Sequence, residues 1–157
     1  MRKRIITRDE KDASDVKVNW LNLDDCAEVE VTSEEANYPI ESALVPDESR
    51  GWKASGPGKQ TIRLHFDHPQ KVQRIWLNFL ETDNERTQEY VLRWSSDNGQ
   101  SFKEIVRQQW NFSPPSTVSE IEDYQVELQA VTLLELNINP DISGGNSPAS
   151  LARLRLA

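Results

Sequence analysis

The chain has a single cysteine in 157 residues, Cys26, so no disulfide can form within it. Its fold must rest on burial and hydrogen bonding, and a domain of this length buries roughly two-thirds of its unfolded surface, enough to need no covalent or metal staple. Histidine is almost as scarce. His65 and His68, with one thiol, do not supply the Cys/His set that holds a transition metal, so no metal and no cofactor is expected. No apolar run approaches the length of a membrane helix, and the opening MRKRIITRDEKDAS has no apolar stretch behind its charges, unlike a secretory signal. The expectation is a cytoplasmic protein with no membrane partner. Basic charge is short as well: 18 Lys and Arg stand against 26 Asp and Glu, a net charge of -8. That balance opposes general affinity for phosphate backbones, and no nucleic-acid partner is expected.

Long helical periodicity is missing too; residues 117–130 are the best helical candidate, and their pattern is poor. What the chain has is alternation with a period of two. Ala27 to Thr32 alternates. Ile62, Leu64 and Phe66 share one face of a run from Thr61 to Asp67, and Ile75, Leu77 and Phe79 share a face after an expected HPQK turn. In RWSSDNGQSF, Asp97-Asn98-Gly99 separates Tyr90, Leu92 and Trp94 from Phe102, Glu104 and Val106, which marks a hairpin, because Gly, Asn and Asp tolerate the positive φ a tight turn needs. Shorter strands are expected over 124–128 and 132–139, and in LARLRLA at the end. Residues 1–17 are charged and unpatterned and read as a mobile arm, leaving 18–157 as one domain. Short alternating strands punctuated by Gly, Pro and Asn predict an all-β fold, an antiparallel β-sandwich or jelly roll.

Catalytic chemistry finds little support. His65 lies mid-strand and His68 sits beside Pro69, neither in a triad spacing, and no G-x-S-x-G elbow precedes a helix. Pairs such as Asp24-Asp25 and Glu34-Glu35 read as solvated loop charge. The chain is not expected to be an enzyme. Its five tryptophans are more informative. Trp52 and Trp94 read as core, Trp76 as an outer-face residue under a loop or the arm, and Trp20 as part of that arm. Trp110 is followed by Asn111, Phe112 and a Pro-Pro pair. An aromatic beside an amide at a loop mouth suits sugar or peptide recognition, and Trp110 and Phe112 read equally well as a cap on the core.

The order of these landmarks resembles the factor V/VIII C-type (discoidin) domains and the related carbohydrate-binding modules with the galactose-binding-like jelly roll. The likeness is carried by ALVPDESRGWKA, by TIRLHFDHPQKVQRIWLNF, by the hairpin YVLRWSSDNGQSFKEI and by the closing LLELNINPDISGGNSPASLARLRL. It implies a non-catalytic module whose loops at one sandwich end bind a carbohydrate or similar small polar ligand. Some members with this fold bind proteins instead, and a protein partner is the alternative. Matched position by position, the resemblance adds Arg86 and Tyr38 to Trp110, Asn111 and Phe112 as ligand-binding candidates. It also implies a structural calcium in many members, held by carboxylates where this chain has Val45 and Arg153; Asp47 and Glu48 stand nearby, but the substitution argues against the metal.

Overall fold

The structure is a computed structural model that describes residues 1–3, 18–46 and 50–157. The arm expected over 1–17 lies largely outside the described residues, as do Asp47 and Glu48.

Two 21-residue strands organise the molecule. β3 (Gln60–Leu80) and β6 (Ser119–Asn139) run antiparallel along most of their length. Residues 62–66 of β3 pair with β1 (Ala27–Val31), and residues 60–65 with residues 133–138 of β6, which in turn pair with β4 (Arg86–Ser95) and through it with β5 (Lys103–Phe112). Residues 72–80 of β3 pair instead with residues 119–128 of β6 and with β8 (Arg153–Leu156). The outcome is a five-stranded layer β1–β3–β6–β4–β5 and a three-stranded layer β8–β3–β6, with the two long strands passing from one to the other. A separate pair, β2 (Trp52–Pro57) and β7 (Pro148–Leu151), and two four-residue helices, α1 (Leu23–Cys26) and α2 (Glu41–Leu44), complete the described fold. The all-β antiparallel sandwich expected from the sequence is the observed architecture.

The alternating residues do what their spacing requires. Ile62, Leu64, Phe66, Ile75, Leu77, Phe79, Tyr90, Leu92, Leu134, Leu136 and Ile138 are all buried in one cluster. HPQK is not a turn between separate strands: it lies within β3, where the ladder shifts register between His65 and Arg74. Pro69 has no N–H to give a ladder, so the strand bulges there and changes layer instead of ending. In the facing irregular stretch of β6, between the partners of Gln70 and Val72, Ala130 takes φ 55°. Residues 117–130 are not helical either. Their inward positions are Glu120, Glu122, Tyr124, Val126 and Leu128, a period of two that the two glutamates hide from an apolar count.

The hairpin is built from its serines and its aspartate. Asn98 and Gly99 adopt φ 58° and 90°, and Ser95 Oγ accepts from the backbone N–H groups of Asp97 and Gly99. Hydrogen bonds from Ser101 and Ser95 hold the Asp97 carboxyl down at about 2. On the outer face of the five-stranded layer, Glu135 is buried beneath Arg63 and Arg93. Burial alone would raise its carboxyl, but the donors from Arg93, Arg63 and Asn137 prevail and lower it. Trp52 is core, donating Nε1–H to Ser33 O at 3.0 Å, while Trp94 and Trp76 are half-buried. The guanidinium of Arg74 lies 5.1 Å from the ring centre of Trp20. Gly51 (φ 74°) precedes Trp52 where a Cβ would come within 2.8 Å of Leu151 O, so no other residue fits there.

Arg153 explains why the calcium residues implied by the resemblance do not fit this chain. Its Nη1 donates to Val45 O at 2.9 Å and to Pro46 O at 3.0 Å. A guanidinium therefore ties these loop carbonyls to β8. Hydrogen bonds to a charged group contribute about 1.5–3 kcal/mol each way they are lost. Arg153→Ala is expected to lower the melting temperature by several degrees, and EDTA is expected to leave the wild-type melting temperature unchanged. A fall with EDTA in a thermal melt would overturn this assignment.

Candidate functional site

One end of the sandwich gathers residues 32–38, the β3–β4 loop over 81–85, the start of β2 and the chain entering β7. They enclose a cleft of about 250 Å³ lined by Tyr38, Arg50, Lys53, Glu81, Asp83, Asn84 and Ser150 among others. Each wall has a local cause. Tyr38 N donates to Glu35 O and Tyr38 O accepts from Lys53 N, so a short bridge fixes the tyrosine against β2. The Lys53 ammonium lies over the Tyr38 ring, 4.3 Å from its centre. In the 81–85 loop, Glu81 Oε2 accepts from the N–H groups of Asp83 and Asn84 at 3.1 and 3.3 Å, turning the chain so that both side chains line the cleft.

Arg86 stands behind this wall. It is only 2% exposed. Its Nε donates to Glu81 Oε1 at 2.7 Å, Nη1 to Gln88 Oε1 and to Pro140 O, and Nη2 to Ser150 Oγ at 3.3 Å. One guanidinium thus ties together the 81–85 loop, β4, the loop after β6, and β7. Burial pushes the Glu81 carboxyl up, but Arg86 and the two loop N–H groups outweigh it, leaving it below the ordinary carboxylate range.

The five residues expected to bind ligand take distinct places. Tyr38 lines the cleft. Arg86 holds its wall from within, and its guanidinium lies 4.7 Å from the ring centre of Phe112, which is fully buried. Trp110, Asn111 and Phe112 belong to β5, not to the loop that follows it, so they alternate. Asn111 is exposed on the outer face and accepts from Thr87 Oγ1 at 3.1 Å. Trp110 is half-buried on the inner face opposite Gln88, and neither it nor Asn111 borders the cleft.

Sequence reasoning missed Arg50, Lys53, Asp83 and Asn84, which have the look of ordinary turn and strand residues. It also missed a polar thread inside the sandwich. From Glu81 and Arg86 it runs through Gln88, whose Nε2 donates to Glu120 Oε1 at 3.4 Å, to Glu122 beyond. Beside it the hydroxyls of Tyr90 and Tyr124 share a hydrogen bond. Among the described residues, Glu120 Oε2 and Trp110 Nε1 are the two buried side-chain polar atoms without a partner. Desolvation, then the charge of Glu122, raises the Glu120 carboxyl to about 7. The available signal was polar residues at the inward positions of two strands.

Among the described residues no group of three or more His, Cys, Asp or Glu is placed to hold a metal ion. The cleft offers hydroxyl, amide, carboxylate and cationic groups on its rim.

Comparison with known proteins agrees with the fold. The chain is similar in structure to the family 32 carbohydrate-binding module of NanJ from Clostridium perfringens, in complex with galactose (TM-score 0.62, 16% identity, 87% of this chain and 96% of that one). It is similar to the family 32 module of AlyQ in complex with 4,5-unsaturated mannuronic acid (TM-score 0.55, 18% identity, 85% and 95%). It also resembles reduced XRCC1 bound to the DNA polymerase β catalytic domain (TM-score 0.58, 14% identity, 84% and 95%). No curated protein matches the chain by sequence. The F5/8 type C domain family matches over residues 28–131, more than half of the molecule, and the chain belongs to that family.

Proposed function

We propose that the protein is a non-catalytic binding module that recognises a carbohydrate in the cleft at the loop end of its sandwich. The observation that carries this reading is the convergence of Tyr38, Asp83, Asn84 and Ser150 on one cleft, in a member of a family whose structural neighbours include modules with bound sugars. Asn84 can donate and accept as a sugar hydroxyl does, Asp83 accepts from hydroxyl pairs, and Tyr38 offers apolar ring area with a polar tip. Arg86 and Phe112 fix the wall, and no residue acts on a bond of the ligand. The reading assigns no nucleic-acid or membrane partner, in keeping with the net charge of -8.

So few contacts give weak binding, with dissociation constants in roughly the micromolar to millimolar range. Calorimetric titration with galactose, N-acetylgalactosamine and uronic-acid disaccharides should find at least one ligand in that range. Asn84→Ala and Asp83→Ala should each weaken it about tenfold, the loss of one hydrogen bond to a buried partner, with an unchanged melting temperature. Blank titrations against the whole panel, with a stable protein partner recovered instead, would favour the protein-interaction alternative. The likeness to XRCC1, seen bound to a polymerase domain, is the observation on that side.

A further inference from the structure

The charge around the cleft narrows the ligand class. Arg50 and Lys53 both line it, and among the described residues neither forms an ion pair with a carboxylate. Lys53 is instead held over the Tyr38 ring, so one face of that ring carries an ammonium and is not open for stacking on a pyranose. Glu81 also lines the cleft, but its carboxylate is engaged by Arg86 and two backbone N–H groups. Counting Arg86 behind the wall, among the described residues three cationic groups stand against the two carboxylates of Glu81 and Asp83. The whole chain has the opposite balance, -8. A local cationic surplus on so acidic a protein concentrates anions at that point.

Resting on the carbohydrate reading above, we infer that the cleft selects a saccharide bearing a carboxylate, with Arg50 and Lys53 as the residues that set this specificity. The arginine fork matches a carboxylate in bidentate geometry, and the lysine adds a point charge beside it. Asn84 remains for the sugar hydroxyls. The ring face blocked by Lys53 explains why the site would take its affinity from charge and hydrogen bonds more than from stacking.

The test uses the full chain and two probes that differ in charge and in the ester methyl groups, digalacturonate and its neutral methyl ester, titrated calorimetrically at 20 and 200 mM sodium chloride. The acid should bind about tenfold more tightly than the ester at low salt, the effect of one charge-assisted contact, and this advantage should shrink at high salt. Lys53→Met and Arg50→Gln, both at solvent-accessible positions, should each reduce the ratio of acid to ester affinity, and Lys53→Arg should keep it. Equal binding of acid and ester would overturn the carboxylate selectivity while leaving the carbohydrate reading intact. No binding of either probe, or of neutral sugars, would remove both. Competition by inorganic phosphate as strong as that of the disaccharide would show a plain anion site and overturn the assignment to a carboxylated sugar.

Discussion

Arg86→Ala is expected to destabilise the protein by about 3–5 kcal/mol, the range for removing one partner of a buried ion pair. At roughly 2–4 °C per kcal/mol for a chain of this size, the melting temperature should fall by about 10 °C. The cause is the number of groups that depend on one side chain. Glu81, itself mostly buried, would lose its counter-ion, and Gln88 Oε1 and Pro140 O would lose their donors in a site that admits little water. Phe112 would lose the guanidinium that covers its ring. Because the same contacts set the 81–85 loop and the position of Ser150, ligand affinity should fall with stability. Arg86→Lys keeps a charge but cannot make four directed contacts, and should fall in between on both measures. A direct ligand contact would behave differently: Arg86→Lys would lose affinity and retain the wild-type melting temperature. Differential scanning calorimetry beside titration with the best sugar separates the two roles.

Arg86 also shows how far the sequence could be read. Period-two alternation placed Ile62, Leu64, Phe66, Ile75, Leu77 and Phe79 on one buried face, and Asp97-Asn98-Gly99 located the hairpin, because apolar spacing and positive φ are local signals. The passage of β3 and β6 between layers was not local. The HPQK segment has the composition of a turn, and only pairing with residues 128–131 of β6 keeps it within a strand. Family resemblance directed attention to Arg86, yet an arginine in a polar loop reads as exposed. Its burial follows from Glu81, Pro140 and Ser150, as many as 64 residues distant. Trp110, Asn111 and Phe112 had the composition of a binding loop, but β5 extends through them and pairs Phe112 with Arg86. Alternation then divides them between the core side and the outer face. The cleft residues Lys53 and Asp83 could not be singled out, since each gains meaning only from what folding sets beside it.

Glu120 leads to the other large effect, which concerns pH. The residue is 1% exposed, and its carboxyl faces Glu122 and Tyr124 on its own strand and Arg86, Gln88 and Tyr90 on β4. Desolvation first, then Glu122, raises it from 4.5 to about 7, against smaller opposing effects of Gln88 and Arg86. In the unfolded chain it titrates at the ordinary value, so the folded state binds the proton more tightly. The stability this contributes is complete below about pH 4.5 and is lost as pH rises to about 7. The difference amounts to at most about 3 kcal/mol, at 1.36 kcal/mol per pH unit. Glu81, Glu135 and Asp97 act in the opposite sense, because their lowered carboxyls contribute stability above about pH 4.5 that is lost as pH falls below it. The wild-type protein should therefore be most stable near pH 5, and its melting temperature should decline from there to pH 8. Glu120→Gln keeps the shape and a donor in place of the proton, so it should match the wild type at pH 5 and exceed it at pH 8. Parallel melting-temperature profiles for the two proteins between pH 5 and 8 would show that Glu120 does not carry this dependence, and would point to water reaching its unpartnered Oε2.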